Sequence, residues 1–325
     1  MAERDEELMW RAMALAGSVR GTTSPNPWVG AVLVTEAGLF EGATRPPGGP
    51  HAEVVALAAA GEAARGSTLY VTLEPCSHTG RTGPCADALI EAGVARVVVG
   101  IGDPDERVAG TGLERLRQAG IQVDVGLYKD EITAQLAPYL KHRTTGRPYV
   151  ILKLAATLDG RTAAPDGTSQ WITSRDARAD AHRLRAESDA VLVGAGTVRA
   201  DDPALTVRDV DGRDPLRVVL GHAPEDAKVH PALELTGDLD AVLDKLGGMG
   251  IVQLLVEGGP TVARSFHAAR LVDRYVVYLA PALMGGDSGP GLFSGAGAST
   301  MAELWRGRIV SSEMIGDDLR IEMER

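Results

Sequence analysis

Short aliphatic runs alternate with amphipathic, helix-length stretches along nearly all of this 325-residue chain, and that alternation confines it to layers of helix packed on sheet. In the first half the pattern places strands at 29–35, 69–73, 96–100 and 121–125, with helices at 51–65, 85–92 and 112–119. Gly66 and Gly93 stand where the first two of these helices should stop. The expected arrangement is an α/β sandwich around a mostly parallel sheet. A further helical stretch, 130–142, runs through Thr144-Thr145-Gly146-Arg147-Pro148 into a strand at 149–155, which separates a domain of residues 1–147 from one of residues 148–325. Beyond the boundary come helix 175–187, strands 190–194 and 216–220, helix 239–246, strand 252–257, helix 260–269, strand 274–279 and a strand pair near 309–315 and 319–323. By pattern alone the second domain is an α/β nucleotide-binding domain.

The chemistry of the first domain gathers in one window. His51 and Glu53 fall in the first turn of the helix at 51–65, and Cys76 and Cys85 follow, each just after a proline. Structural zinc is closed by four protein ligands, whereas hydrolytic zinc keeps three and leaves a place for water. The chain has only two cysteines, both here, so a four-cysteine site is impossible and a two-cysteine, two-histidine site would have to recruit His78. Zinc brings the pKa of bound water to about 7, and Glu53 is placed to carry the proton away. Pro84 suits the first position of the helix at 85–92, which would put Cys85 where helix N–H groups favour a thiolate. Two blander readings stand beside the catalytic one: a Cys76–Cys85 disulfide, and a closed zinc site with Glu53 merely solvated. The acidic opening Met-Ala-Glu-Arg-Asp-Glu-Glu lacks the basic and apolar character of a secretory leader, which favours a cytoplasmic protein and disfavours the disulfide.

The composition excludes other classes. Hydrophobic residues make up 44% of the chain without any long uninterrupted apolar run, so a soluble protein with no membrane partner is expected. A net charge of −11 and 4% aromatic residues offer neither a basic platform nor stacking surfaces for nucleic acid.

His51-Ala52-Glu53 with Pro75-Cys76 and Pro84-Cys85 resembles the cytidine-deaminase-like superfamily of zinc nucleobase deaminases, in which a glutamate that is not a ligand shuttles protons. The eight residues between the cysteines, and Asn26-Pro27-Trp28-Val29-Gly30 upstream, narrow the resemblance to the bifunctional riboflavin-biosynthesis deaminase/reductase family. Four segments of the second half resemble that family's reductase domain: Lys153 to Arg161, Ser169 to Ile172, Ala200 to Thr206, and Val256 to Thr261. The resemblance implies a cytidine-deaminase-like α/β/α sandwich followed by a dihydrofolate-reductase-like α/β domain. It also implies Zn2+ and NADPH as cofactors, a phosphorylated pyrimidine substrate and a homo-oligomer. The sequence agrees in lacking a complete Gly-x-Gly-x-x-Gly; Gly194-Ala195-Gly196 is a fragment. Gly258-Gly259-Pro260-Thr261, between a strand and a helix, is the better phosphate site, although a plain tight turn reads the same way.

Carried over position by position, the resemblance makes His51, Cys76 and Cys85 the metal ligands and Glu53 the proton carrier, with Asn26, His78 and Arg81 as deaminase substrate contacts. In the reductase it makes Ser169, Arg185, Leu205, Arg208 and Glu257 substrate contacts. Ala155, Trp171, Thr197, Asp201, Gly259, Pro260, Thr261, Val262, Ala263, Arg264 and Ser265 become cofactor contacts. Arg185 and Arg208 are the phosphate candidates, although a helical Arg near Arg178 and Arg183 also suits a solvated face. Lys153 and Asp201 are the groups expected to donate or orient a proton. Three positions depart from the family: Gly83 replaces a proline before Cys85, Thr44 stands where many relatives carry His, and Gly221-His222 replaces Asp-Ser. A nucleoside or RNA deaminase fused to a nucleotide-binding module would share the zinc window but has no need of the segments at Lys153–Arg161 and Ala200–Thr206.

Overall fold

A computed structural model of the chain describes residues 2–77, 83–105 and 109–325, and divides it into two compact units, Met1–Gly146 and Arg147–Arg325. The first unit contains α1 (Ala2–Ser18), β1 (Gly30–Thr35), β2 (Gly38–Ala43), α2 (Ala52–Ala60), β3 (Thr68–Leu73) and α3 (Cys85–Ala92). It continues with β4 (Arg96–Ile101), α4 (Thr111–Gln118), β5 (Gln122–Val125), α5 (Lys129–Gln135) and α6 (Ala137–Thr145). The strands order as β2-β1-β3-β4-β5. Only β3, β4 and β5 run parallel; β1 is antiparallel to both β3 and β2, so the sheet is less parallel than expected. The reason is a tight hairpin: Thr35 Oγ1 accepts from the Ala37 N–H and donates to the Gly38 carbonyl, and returns the chain as β2. The β2 sequence, Gly-Leu-Phe-Glu-Gly-Ala, is largely exposed at its start and carries no clear apolar alternation.

α1 and α5 cover one face of this sheet, and α2 and α3 the other. α1 buries Leu8, Met9, Ala12, Met13 and Ala16, a helical spacing, while Asp5 on the same helix accepts hydrogen bonds from Tyr70 and Arg96. Two further boundaries differ from expectation. α2 stops at Ala60, where Gly61 takes a positive φ and a 3-10 turn, Gly61–Ala64, follows. The stretch 130–142 is two helices, because Pro138 lacks an N–H and fits a first turn but not an interior.

The second unit contains β6 (Tyr149–Thr157), α7 (Arg175–Ala186), β7 (Ala190–Gly194), α8 (Ala195–Asp201), β8 (Leu216–Leu220) and β9 (Leu233–Leu235). It ends with α9 (Leu239–Gly248), β10 (Gln253–Val256), α10 (Pro260–Ala268), β11 (Arg274–Ala280), β12 (Arg308–Ile315) and β13 (Asp318–Glu324). The sheet order is β12-β13-β11-β6-β10-β7-β8-β9. Strands β11 through β9 in that order are mutually parallel, and the closing hairpin β12–β13 adds antiparallel to β11. Its core joins Val150, Leu152 and Leu154 to Leu192, Leu254 and Phe266. Burying such side chains stabilises by roughly 1.5–3 kcal/mol each. Parallel strands covered by helices leave their carboxyl ends open, which is where such sheets place ligands. Among the described residues no helix is long and apolar enough to cross a membrane.

Candidate functional site

Three short segments bring the first unit's chemistry together. His51 is the N-cap of α2 rather than a residue of its first turn, Cys76 lies three residues beyond β3, and Cys85 is the first residue of α3, with Pro84 as its N-cap. His51 Nδ1 lies 3.6 Å from Cys76 Sγ and 3.3 Å from Cys85 Sγ, and the three ligand atoms all fall within 4.8 Å of one another. One imidazole and two free thiols converging in this way fit a zinc ion.

The segment carrying Cys76 is anchored from behind. The buried Glu74 carboxylate accepts N–H groups of Asp103 (3.2 Å), Gly110 (3.0 Å), Gly112 (3.0 Å) and Leu113 (3.3 Å), so it holds the start of α4 against Pro75. The approach is so close that a Cβ on Gly112 would lie 2.0 Å from the Pro75 carbonyl oxygen, and only glycine fits. Ser77 and Thr111 hydroxyls close the same junction at 2.5 Å.

Glu53 is 3% exposed, and burial pushes its carboxyl up to about 7, against the opposing pull of His51. The two thiols interact directly. The Cys85 thiol and N–H both donate to Cys76, the latter at 3.3 Å, and with His51 they take Cys76 down to about 4. Cys85 is pushed up by its bond to Cys76 and by burial. Cys76 is the thiol that receives the donors. His51 is raised, chiefly by Cys76.

Asn26 is half-buried in a turn where its N–H donates to the Thr23 carbonyl at 2.9 Å. Thr44 is buried, and its hydroxyl accepts the Val29 N–H at 3.1 Å, which fastens the chain after β2 to the start of β1. Gly83 is exposed, while His78 and Arg81 lie outside the described residues.

In the second unit, the pairing of Leu152 with Val256 sets Lys153 on β6 beside Glu257, the residue after β10. Lys153 Nζ lies 3.7 Å from Glu257 Oε2, and Arg185 of α7 donates to the same oxygen at 3.0 Å. Burial alone would raise the Glu257 carboxyl; the Arg185 guanidinium, with Lys153, overrides it and takes the group to about 2. Lys153 is lowered by burial, with Arg185 acting in the same direction and Glu257 opposing. Its ammonium also sits 6.0 Å from the centre of the Tyr278 ring. Arg208 is exposed and its guanidinium meets Thr206 Oγ1 at 3.2 Å, next to Leu205, which is buried at φ +53.

The cofactor candidates spread around the carboxyl ends of β6, β7 and β10. Gly259 is the N-cap of α10 and Pro260 its first residue, so the N–H groups of Thr261 and Val262 have no helical carbonyl behind them and face outward. That donor set fits a pyrophosphate. The Gly259 N–H already meets Thr197 Oγ1 at 3.2 Å. Of the remaining α10 residues, Ala263 is in the core, Arg264 donates to the Ala296 carbonyl and Ser265 donates to the Thr261 carbonyl. Trp171 is 68% exposed, with the Arg178 guanidinium 4.3 Å from its ring centre; Ser169 and Ala155 are half-buried. Asp201 ends α8 in an exposed position, and no hydrogen bond or ion pair among the described residues joins it to Lys153. Gly221 has φ +100 and a Cβ there would lie 3.1 Å from Ala195 Cβ, so the departure from the family is accommodated by a backbone that favours glycine. His182, Tyr278 and Arg178 were not singled out by the sequence; a histidine on a helix face reads equally as core.

Comparison with known proteins accounts for both units. The family model for the cytidine and deoxycytidylate deaminase zinc-binding region matches residues 2–101, and that for the RibD C-terminal domain matches residues 148–321. The second match sets aside a nucleoside or RNA deaminase with an unrelated fused module. The chain is 42% identical over 364 residues to riboflavin biosynthesis protein RibD of Escherichia coli K12, covering 98% of this chain and 99% of the relative. It is 43% identical over 339 residues to the RibD of Mycobacterium tuberculosis, covering 98% and 96%. Among solved structures it superposes on Acinetobacter baumannii RibD with a TM-score of 0.93 at 38% identity, covering 100% of this chain and 99% of that one. A Thermotoga maritima diaminohydroxyphosphoribosylaminopyrimidine deaminase/5-amino-6-(5-phosphoribosylamino)uracil reductase gives 0.89 at 36% identity, with 98% of each chain covered. With such identity sustained over nearly the whole of each relative and both domain models in the same order, the chain belongs to the RibD family of bifunctional deaminase/reductases of riboflavin biosynthesis.

Proposed function

We propose that residues 1–147 hydrolyse the 2-amino group of 2,5-diamino-6-(5-phosphoribosylamino)pyrimidin-4(3H)-one, and that residues 148–325 then reduce the ribosyl group of the product to ribityl with NADPH. Deamination exchanges the amino group for the oxygen of water and releases ammonia; reduction adds one hydride and one proton. The observation that carries the reading is the burial of Glu53 beside the converging His51, Cys76 and Cys85.

Those three residues would hold zinc, which when bound supplies a water of lowered pKa. Glu53 does the proton work. A carboxyl shifted to about 7 takes a proton and gives it back at neutral pH with little cost either way. Asn26, His78 and Arg81 are assigned to the pyrimidine and its phosphate, with Arg81 suited to a charge-assisted contact.

In the second unit the hydride is the cofactor's own chemistry, and the protein's contribution is placement. Thr261 and Val262 offer N–H groups to the cofactor phosphates; Ala155, Trp171, Thr197, Asp201, Gly259 and the rest of the first turns of α10 surround it. Arg185 and Arg208 hold the ribose phosphate, while Ser169, Leu205 and Glu257 shape the sugar site. Lys153 is the better proton donor of the two candidates, because burial weakens its hold on the proton and Glu257 fixes its position. Asp201, exposed at the end of α8, is assigned to the cofactor side. The protein works in the cytoplasm as a homo-oligomer on a small phosphorylated pyrimidine, without nucleic-acid or membrane partners.

The deaminase assignment is tested without NADPH. Zinc-loaded protein given the diaminopyrimidine should release ammonia, and Glu53→Gln should lose a factor of about 10²–10⁴ at unchanged zinc content. Unchanged ammonia release in the folded, zinc-loaded variant would remove the role from Glu53.

A further inference from the structure

His182 lies on α7, is 7% exposed and stands apart from the substrate and cofactor contacts assigned above. Its Nδ1 accepts the Arg208 backbone N–H at 3.0 Å and lies 3.4 Å from Arg185 Nη1. Both partners can only donate, so Nδ1 must be unprotonated and the ring neutral, with its proton on Nε2. The surroundings enforce that state: burial first, then the Arg185 and Arg208 charges, lower the imidazolium, against weaker opposition from Glu257 and Asp209.

The same two arginines converge on one further residue. Arg185 Nη1 donates to the Thr206 carbonyl at 3.2 Å and Arg208 Nη1 donates to Thr206 Oγ1 at 3.2 Å. The loop that carries Arg208 is bracketed by Leu205 at φ +53 and Asp209 at φ +64, a left-handed backbone that non-glycine residues leave unless contacts hold them. His182 supplies one of those contacts at the middle of the loop. Arg185 is already paired with Glu257 through Nε and Nη2, so His182 ties the remaining Nη1 to the backbone of the Arg208 loop, and as a neutral acceptor it adds no negative charge where an anion would bind.

We propose that His182 is a positioning residue for a phosphomonoester site, its Nδ1 setting Arg185 and Arg208 on one anion. The inference rests on the assignment of those arginines to the substrate phosphate, and its test separates the two. Reduction of the deaminated pyrimidine by NADPH is measured for wild type, His182→Phe, His182→Asn and Arg208→Ala. His182→Phe should raise KM for the pyrimidine by about tenfold, the ratio set by one hydrogen bond to a charged partner, with kcat and KM for NADPH unchanged. His182→Asn, whose Oδ1 can stand where Nδ1 stood, should recover most of the loss. A normal KM in His182→Phe beside a raised KM in Arg208→Ala overturns the role of His182; a normal KM in Arg208→Ala overturns the phosphate site itself. A second measurement needs no variant to fold well: the imidazole ¹⁵N spectrum of the wild type should show a pyridine-like Nδ1 at His182, and a protonated Nδ1 overturns the proposal.

Discussion

Replacing Glu257 by Gln removes the carboxylate that faces Arg185 and Lys153, and the cost follows from its environment. The carboxyl falls from 4.5 to about 2 on folding, and at 1.36 kcal/mol per pKa unit that drop is worth about 3 kcal/mol at neutral pH. Leaving two largely buried cations without their partner costs up to about 3–5 kcal/mol in comparable cases, so the two routes agree. For a domain of this size each kcal/mol lowers Tm by about 2–4 °C, and the reductase transition should fall by about 6–12 °C. The pH dependence identifies the cause. Because the folded pKa is depressed, the stabilisation is complete above 4.5 and disappears as pH falls toward about 2. At pH 3.5 the difference between wild type and Glu257→Gln should therefore shrink by about 1 kcal/mol relative to pH 7. Thermal unfolding of the full chain, monitored in the absence of substrate and NADPH, measures both. A deficit of the same size at pH 3.5 and pH 7 would refute the electrostatic account and assign the loss to packing.

Other consequences are simpler to read. Chelation of zinc should end ammonia release from the diaminopyrimidine while leaving NADPH oxidation on the deaminated product intact; loss of both activities would contradict the assignment of one chemistry to each unit. Glu74→Gln places an amide NH₂ against backbone N–H groups that now share two carboxylate oxygens, and should destabilise the first unit by about 2–4 kcal/mol and speed zinc transfer to a competing chelator. Normal zinc retention there would mean that the segment carrying Cys76 holds its place without the carboxylate. Gly221→Ala puts a side chain at φ +100, 3.1 Å from Ala195, and should cost about 1–3 kcal/mol in denaturant unfolding; a neutral effect would show that the turn adopts another backbone.

Much of this molecule was legible because its chemistry sits at the ends of regular elements. His51, Cys76 and Cys85 each stand at a helix start or just past a strand, so spacing along the chain already carries their convergence. The alternation of strand and helix gave the layers, and Gly258-Gly259-Pro260 marked the start of α10 just after β10. Other features are properties of the folded neighbourhood. The β1–β2 hairpin has an exposed second strand without the apolar alternation that would mark it. The three-residue β9 and the seven-residue α8 are too short to show a period. The approach of the Cys85 N–H to Cys76 Sγ depends on how α3 starts beside the end of β3, and the meeting of Lys153 with Glu257 depends on the register of β6 against β10. His182 gave no signal because its partner is the backbone of a loop more than twenty residues away.

The central claim is that one chain performs two reactions in a fixed order, and a single coupled assay reaches it. The diaminopyrimidine ribosylamino phosphate is supplied with NADPH, and NADPH oxidation is followed in wild type and in zinc-loaded Glu53→Gln. Oxidation by the wild type, nearly lost in the variant and restored by adding the deaminated pyrimidine, is the expected result. Equal oxidation by both proteins would show that the reductase accepts the amino compound, and would contradict the order in which the two sites act.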